Sequence, residues 1–320
     1  MRVLLQTAAL TACLGSAVWA EPLDRGQVAA DAKWLAHIDF DAAKNTKTAQ
    51  RVHDRWLGLQ QAKWGLQLIR STTGMDLARD LHSISAYGTR FVPQSGVVIV
   101  RAKVDRQSLL NLLEREPSYR TSTYGDYTLH NWQTRKDDPQ ASDGKQTLTG
   151  CFYGPELIVL GQDAAEVRTA IDVLDGDAPG LAGGDSPLSA NVPPGTAFEA
   201  KVTGLADLAE AEVPFVSPLA HQCRFLALAA GEHEDKVFVQ ARYEGRSTEV
   251  ATRVGNIVQG LRALAELQHG DNENAMAALG ALKVTVAEKT VTVDWRMPAD
   301  VVIELIEDEW DKRHNPNGTQ

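Results

Sequence analysis

The residues best placed to do chemistry are His37, Asp39 and Asp41, in the order His37-x-Asp39-x-Asp41. Side chains two apart on an extended strand share a face, so an imidazole and two carboxylates would converge there. That donor set suits a divalent cation and is the basis of one reading, a metal-dependent hydrolase. The same residues also describe the polar side of a half-exposed strand, with Asp41 capping the next helix. A metal site normally needs further ligands, which sequence spacing does not place.

Other candidates carry less. Ser142-Asp-Gly-Lys145 has the Ser-x-x-Lys order of penicillin-recognising acyl enzymes, but the accompanying Ser-Asp-Asn and Lys-Thr-Gly elements are missing. His233, in Glu232-His-Glu-Asp235, reads as a solvated hairpin turn. Trp34, Trp132 and Trp295 fall in strand-type runs, where large aromatics stabilise cross-strand pairs; an aromatic ligand platform is the competing reading. Glu304, Glu307, Asp308, Glu309 and Asp311 read as the solvated face of a final helix. There is no Gly-x-Ser-x-Gly elbow, no His-Glu-x-x-His, no phosphate-cradling loop and no dinucleotide fingerprint, so no cofactor is expected.

The first twenty residues read as a secretory signal peptide. Arg2 supplies the positive end, Val3–Leu14 is mostly apolar, and Val18-Trp19-Ala20 offers a small residue at the cut. Leu10-Thr11-Ala12-Cys13 also has the lipobox order, which makes an outer-membrane lipoprotein anchored at Cys13 the alternative to a periplasmic or extracellular protein. No later run is apolar enough to span a bilayer. Losing Arg2 with the signal takes the net charge from −10 to −11, a poor match to nucleic acid, which needs clustered cations. After cleavage Cys151 and Cys223 remain, either paired in an oxidising compartment or separately buried as thiols.

The elements that would position these residues recur. Four times a strand-type run passes into a helix-type run: Val97–Val104 into Leu109–Leu113, Leu157–Gly161 into Val167–Leu174, Val237–Tyr243 into Val250–Leu267, and Val291–Arg296 into Val301–Ile306. Asp105, Asp163, Ser247 or Thr248, and Pro298 stand where helices would start. Apolar stripes such as Val250, Val254, Ile257, Leu261, Leu264 and Leu267 must be buried. The expected fold is α+β: two similar lobes, each a β-α-ββα-ββα module with antiparallel sheet and helices on one face. The expected boundaries are signal peptide 1–20, first lobe 21–180, a Gly/Pro/Ser-rich linker 181–195, second lobe 196–312 and a flexible tail 313–320.

Ala32-Lys-Trp-Leu-Ala-His-Ile-Asp-Phe-Asp-Ala42, Ser83-Ile-Ser-Ala-Tyr-Gly88, Gly96-Val-Val-Ile-Val-Arg and Ala170-Ile-Asp-Val-Leu-Asp-Gly176, together with the signal peptide, resemble uncharacterised secreted proteins of planctomycete-type bacteria. That resemblance covers most of the mature chain and implies no activity, cofactor or catalytic residue. The function expected from the sequence is an exported, non-enzymatic binding or assembly module with an envelope protein or polymer as partner. Its site is expected in the cleft between the lobes.

Overall fold

A computed structural model of the protein describes residues 22–135, 145–205 and 218–314. The signal-type segment with Cys13, and Ser142, lie outside the described residues.

The first strand, β1 (Trp34–Asp39), stops because Asp39 caps a helix: its Oδ1 accepts from the Ala42 N–H at 2.8 Å and opens α1 (Phe40–Lys44). The apolar spacing from Val52 to Ile69 predicts one helix, yet two form, α2 (Lys47–Leu57) and α3 (Gln60–Thr73). The break lies at Gly58, whose N–H closes α2, and Leu59, which is extended at φ −78° and ψ 128°. After α4 (Leu77–Asp80) come β2 (Leu81–Gly88), β3 (Gly96–Ala102) and α5 (Arg106–Leu113), whose first turn Asp105 caps through the Gln107 and Ser108 N–H groups.

Four strands then succeed α5 instead of the expected two: β4 (Arg120–Tyr124), β5 (Tyr127–Arg135), β6 (Lys145–Phe152) and β7 (Leu157–Gly161). Asp163 caps α6 (Ala164–Asp175). The remaining described residues form β8 (Thr196–Thr203), α7 (Pro218–His221), β9 (Cys223–His233), β10 (Lys236–Gly245), α8 (Thr248–Gln268, capped by Ser247), α9 (Glu273–Gly280), β11 (Leu282–Ala287), β12 (Thr290–Pro298) and α10 (Ala299–His314).

Among the described residues twelve strands join one antiparallel sheet in the order β11-β12-β10-β9-β8-β1-β2-β3-β7-β6-β5-β4. The two parts of the chain meet where β1 pairs with β8, Ala36 opposite Ala200. A single row of paired residues crosses the sheet: Thr285, Thr292, Arg242, Ala227, Lys201, Leu35, Tyr87, Val97, Gly161, Thr149, Asn131 and Arg120. Directly paired residues point to the same side, so this row defines one face throughout.

Helices pack on both faces, which corrects the expectation of one. On the row's face, α6 sits so close that a Cβ on Gly161 would lie 2.9 Å from Val167 Cγ2. On the opposite face, α8 presses on β11, where a Cβ on Gly255 would lie 2.4 Å from Val286 Cγ2. Val286 neighbours Thr285 and therefore points away from the row.

The main core lies on the row's face under α6, with Leu35, Ile99, Leu129, Val159, Val167 and Ile171 buried. Each such aliphatic side chain contributes roughly 1.5–3 kcal/mol by leaving water. The Gly/Pro/Ser-rich stretch is packed into this core, because Leu181 and Leu188 are fully buried. Its two short 3-10 turns, Leu181–Gly183 and Pro187–Ser189, bring those side chains inward.

Candidate functional site

His37 and Asp39 do share a face of β1, but it is the buried one. They are 5% and 2% exposed, whereas Ile38 on the other face is 37% exposed. Register places His37 between Ser85 of β2 and Glu199 of β8. Its Nδ1 lies 2.8 Å from Ser85 Oγ. Lys201, the next residue of β8 on this face, puts Nζ 2.5 Å from Glu199 Oε2 and 2.7 Å from the Ala190 carbonyl oxygen. Three central strands thus carry a buried polar row of Ser85, His37, Glu199 and Lys201.

Asp41 leaves this row because the chain has already turned into α1. Its carboxylate meets His82 Nδ1 at 2.7 Å and accepts from Lys44 Nζ at 3.1 Å. Among the described residues no group of three or more His, Cys, Asp or Glu side chains is arranged to hold a metal ion. The three side chains of the metal reading are thus not brought together: His37 faces Ser85, Asp39 caps α1, and Asp41 turns to His82 and Lys44.

The electrostatics match burial. Desolvation lowers the His37 pKa below its ordinary value, against the pull of Glu199 and with the push of Lys201, so the ring is neutral. Desolvation raises the Asp39 carboxyl above the usual range, only partly offset by the Ala42 N–H. Burial would raise Asp41 as well, but the hydrogen bonds from His82 and Lys44 outweigh it and hold the group low. A serine within reach of a histidine is the geometry of an activated nucleophile. Ser85 is only 6% exposed, however, and the pair is walled by the core.

Cys151 and Cys223 are both free and buried. Cys151 is on β6 and Cys223 opens β9, with five strands between them in the sheet. At roughly 4.8 Å per strand that separation far exceeds the Cα distance of under about 7 Å a disulfide spans. The pairing alternative is thereby corrected to two separate thiols, each with its pKa raised to about 11 by burial.

The remaining motif residues have structural partners. Glu232 closes the start of α2 by accepting from the Lys47 and Thr48 N–H groups at 3.0 and 3.1 Å. His233 precedes a hairpin turn in which Glu234 and Asp235 both take positive φ. The acidic side of α10 faces α2, where Arg51 pairs with Glu307 and Arg55 with Asp311. Trp34, Trp132 and Trp295 stand on β1, β5 and β12, at least four strands apart, and so form no common platform.

What sequence reasoning missed is apolar. On the face opposite the polar row, the middle strands leave Ile38, Leu226, Leu228 and Val239 each between 37% and 39% exposed. On α8, which packs on this side, Leu261, Leu264 and Leu267 are 61%, 51% and 83% exposed. Between α5 and the strands of the same face lies a cavity of about 210 Å³, walled by Leu109, Leu112, Leu113, Trp132, Phe152 and Leu160. The signal available was the apolar half of each alternating strand, which the sequence assigned to the core.

No family profile and no curated protein matches the sequence. Solved structures give a loose likeness to TP0453, a Treponema protein. Its crystal forms III and IV each give a TM-score of 0.44 at 8% identity, covering 90% and 91% of this chain and 99% of TP0453. Crystal form I gives 0.42 at 10% identity. Likeness this loose transfers neither fold nor function.

Proposed function

We propose that the protein is an exported, non-enzymatic binding or assembly module of the bacterial cell envelope, whose partner docks on the open apolar face of the sheet. The observation that carries this reading is the strip of half-exposed Ile38, Leu226, Leu228 and Val239 across the middle strands. Contiguous exposed apolar surface is costly in water and marks interaction surfaces. Export rests on the signal-type N-terminus, with Cys13 as the alternative anchor, and the resemblance to planctomycete-type secreted proteins agrees with it. Among the described residues no helix is long and apolar enough to cross a membrane.

We further read the chain as two duplicated modules joined edge to edge. Outward from the β1–β8 pair the sheet runs β1-β2-β3-β7-β6 on one side and β8-β9-β10-β12-β11 on the other. A hairpin followed by a helix fills the corresponding places, α5 with α8 and α6 with α10, which favours duplication; β4 and β5 extend the first module. The site then lies around the junction, on the strands from β1 through β8 and β9 to β10. The test is saturable binding of the mature protein to isolated native envelopes. Leu226→Glu with Leu228→Glu is expected to abolish it at unchanged melting temperature, and retained binding would remove the apolar strip as the site.

A further inference from the structure

We infer that the cavity under α5 is a binding site for a medium-chain fatty acid, taken up tail first with its carboxylate at Arg106. This site is separate from the docking strip on the middle strands. At about 210 Å³ the cavity exceeds the ~150 Å³ of an apolar protein cavity that stays dry and takes up benzene. Its walls carry no charge. His130, the polar side chain among them, turns Nδ1 toward Tyr119 Oη at 2.7 Å, and burial keeps its ring neutral. Gly150 keeps the space open: a Cβ there would stand 3.0 Å from Leu160 Cδ2 and 3.3 Å from the Trp132 ring.

Charge complementarity selects the head group. Arg106, Leu109 and Leu113 sit at i, i+3 and i+7 of α5 and share one helix face. The guanidinium lies over the Phe152 ring, 5.4 Å from its centroid, and Phe152 is a wall of the cavity. One of its N–H groups donates to the Gly154 carbonyl oxygen. A guanidinium has five such donors, which leaves enough to bind a carboxylate with two. A tail in the cavity and an anion at Arg106 thus satisfy one molecule.

The experiment is calorimetric titration of the mature protein with dodecanoate below its micelle concentration, with dodecanol as the uncharged comparison. One saturable site is expected. Leu109→Trp fills the cavity and should weaken both ligands by about tenfold or more. Arg106→Gln should weaken dodecanoate by about tenfold and leave dodecanol unchanged. Should Leu109→Trp not fold, Gly150→Ala narrows the same space, and the Trp132 indole N–H resonance reports occupancy in the unaltered protein. Absence of saturable binding, binding to phosphatidylcholine vesicles but not to the free acid, or full binding by the filled variant overturns the site. Equal effects of Arg106→Gln on both ligands overturn the head-group assignment. Envelope binding by the same variants reports separately on the docking strip.

Discussion

His37 is held neutral in the core, facing Ser85 on β2, Glu199 and Lys201 on β8, and neighbouring Asp39 on its own strand. Its folded pKa lies below the ordinary 6.5, so the unfolded chain takes up the proton first. Stability is therefore complete above about pH 6.5 and is lost as pH falls from there toward the folded value. Asp39 works in the opposite sense, because its raised pKa adds stability as pH falls through that value. Thermal melts should show a lower melting temperature at pH 5.5 than at pH 7.5, and His37→Gln should flatten that slope. An unchanged slope would mean that His37 does not titrate on unfolding.

The Glu199–Lys201 pair is also a residue-scale test, with side chains 6% and 2% exposed. Removing one partner of a buried pair costs about 3–5 kcal/mol, whereas replacing both with apolar groups is near neutral. Urea denaturation should find Glu199→Gln strongly destabilised and the double variant Glu199→Leu with Lys201→Met close to the native protein. A double variant that loses the sum of the two single losses would show the two charges to be independent. The alternation of β1 was legible in the sequence, but which side is buried was not. Trp34, Ala36 and Ile38 look like the core side until β2 and β8 supply partners for His37, and those partners lie far away in the chain.

Among the elements, the junctions were the most legible. Asp105, Asp163 and Ser247 all cap helices, because a short oxygen-bearing side chain satisfies N–H groups that the helix cannot. The edge strand β4 was not legible: Arg-Thr-Ser-Thr-Tyr is exposed and polar, so no alternation marks it. The acidic side of α10 looked solvated because its partners, Arg51 and Arg55, belong to α2. Those pairs are partly exposed and screened by water, so Arg51→Ala should shift the urea midpoint only slightly. Gly255→Ala should cost more, about 1–3 kcal/mol, since its Cβ meets the stiff Val286 side chain at 2.4 Å. A native melting temperature for Gly255→Ala would contradict the close seating of α8 on β11.

At the scale of the molecule, the α+β class and antiparallel pairing follow from local pattern, but continuity does not. Joining β1 to β8 makes one twelve-stranded sheet from segments that sequence assigned to separate lobes. A sheet that wide carries helices on both faces, and its middle strands are left half-covered on one of them. The cleft expected between lobes is thus replaced by an open apolar strip at the same junction. The most direct measurement is co-sedimentation of the mature protein with isolated native envelopes, comparing the native chain with Leu226→Glu/Leu228→Glu. Saturable binding by the native chain, lost in the double variant at equal melting temperature, is the predicted result. Equal binding by both proteins, or none by the native chain, would contradict the account.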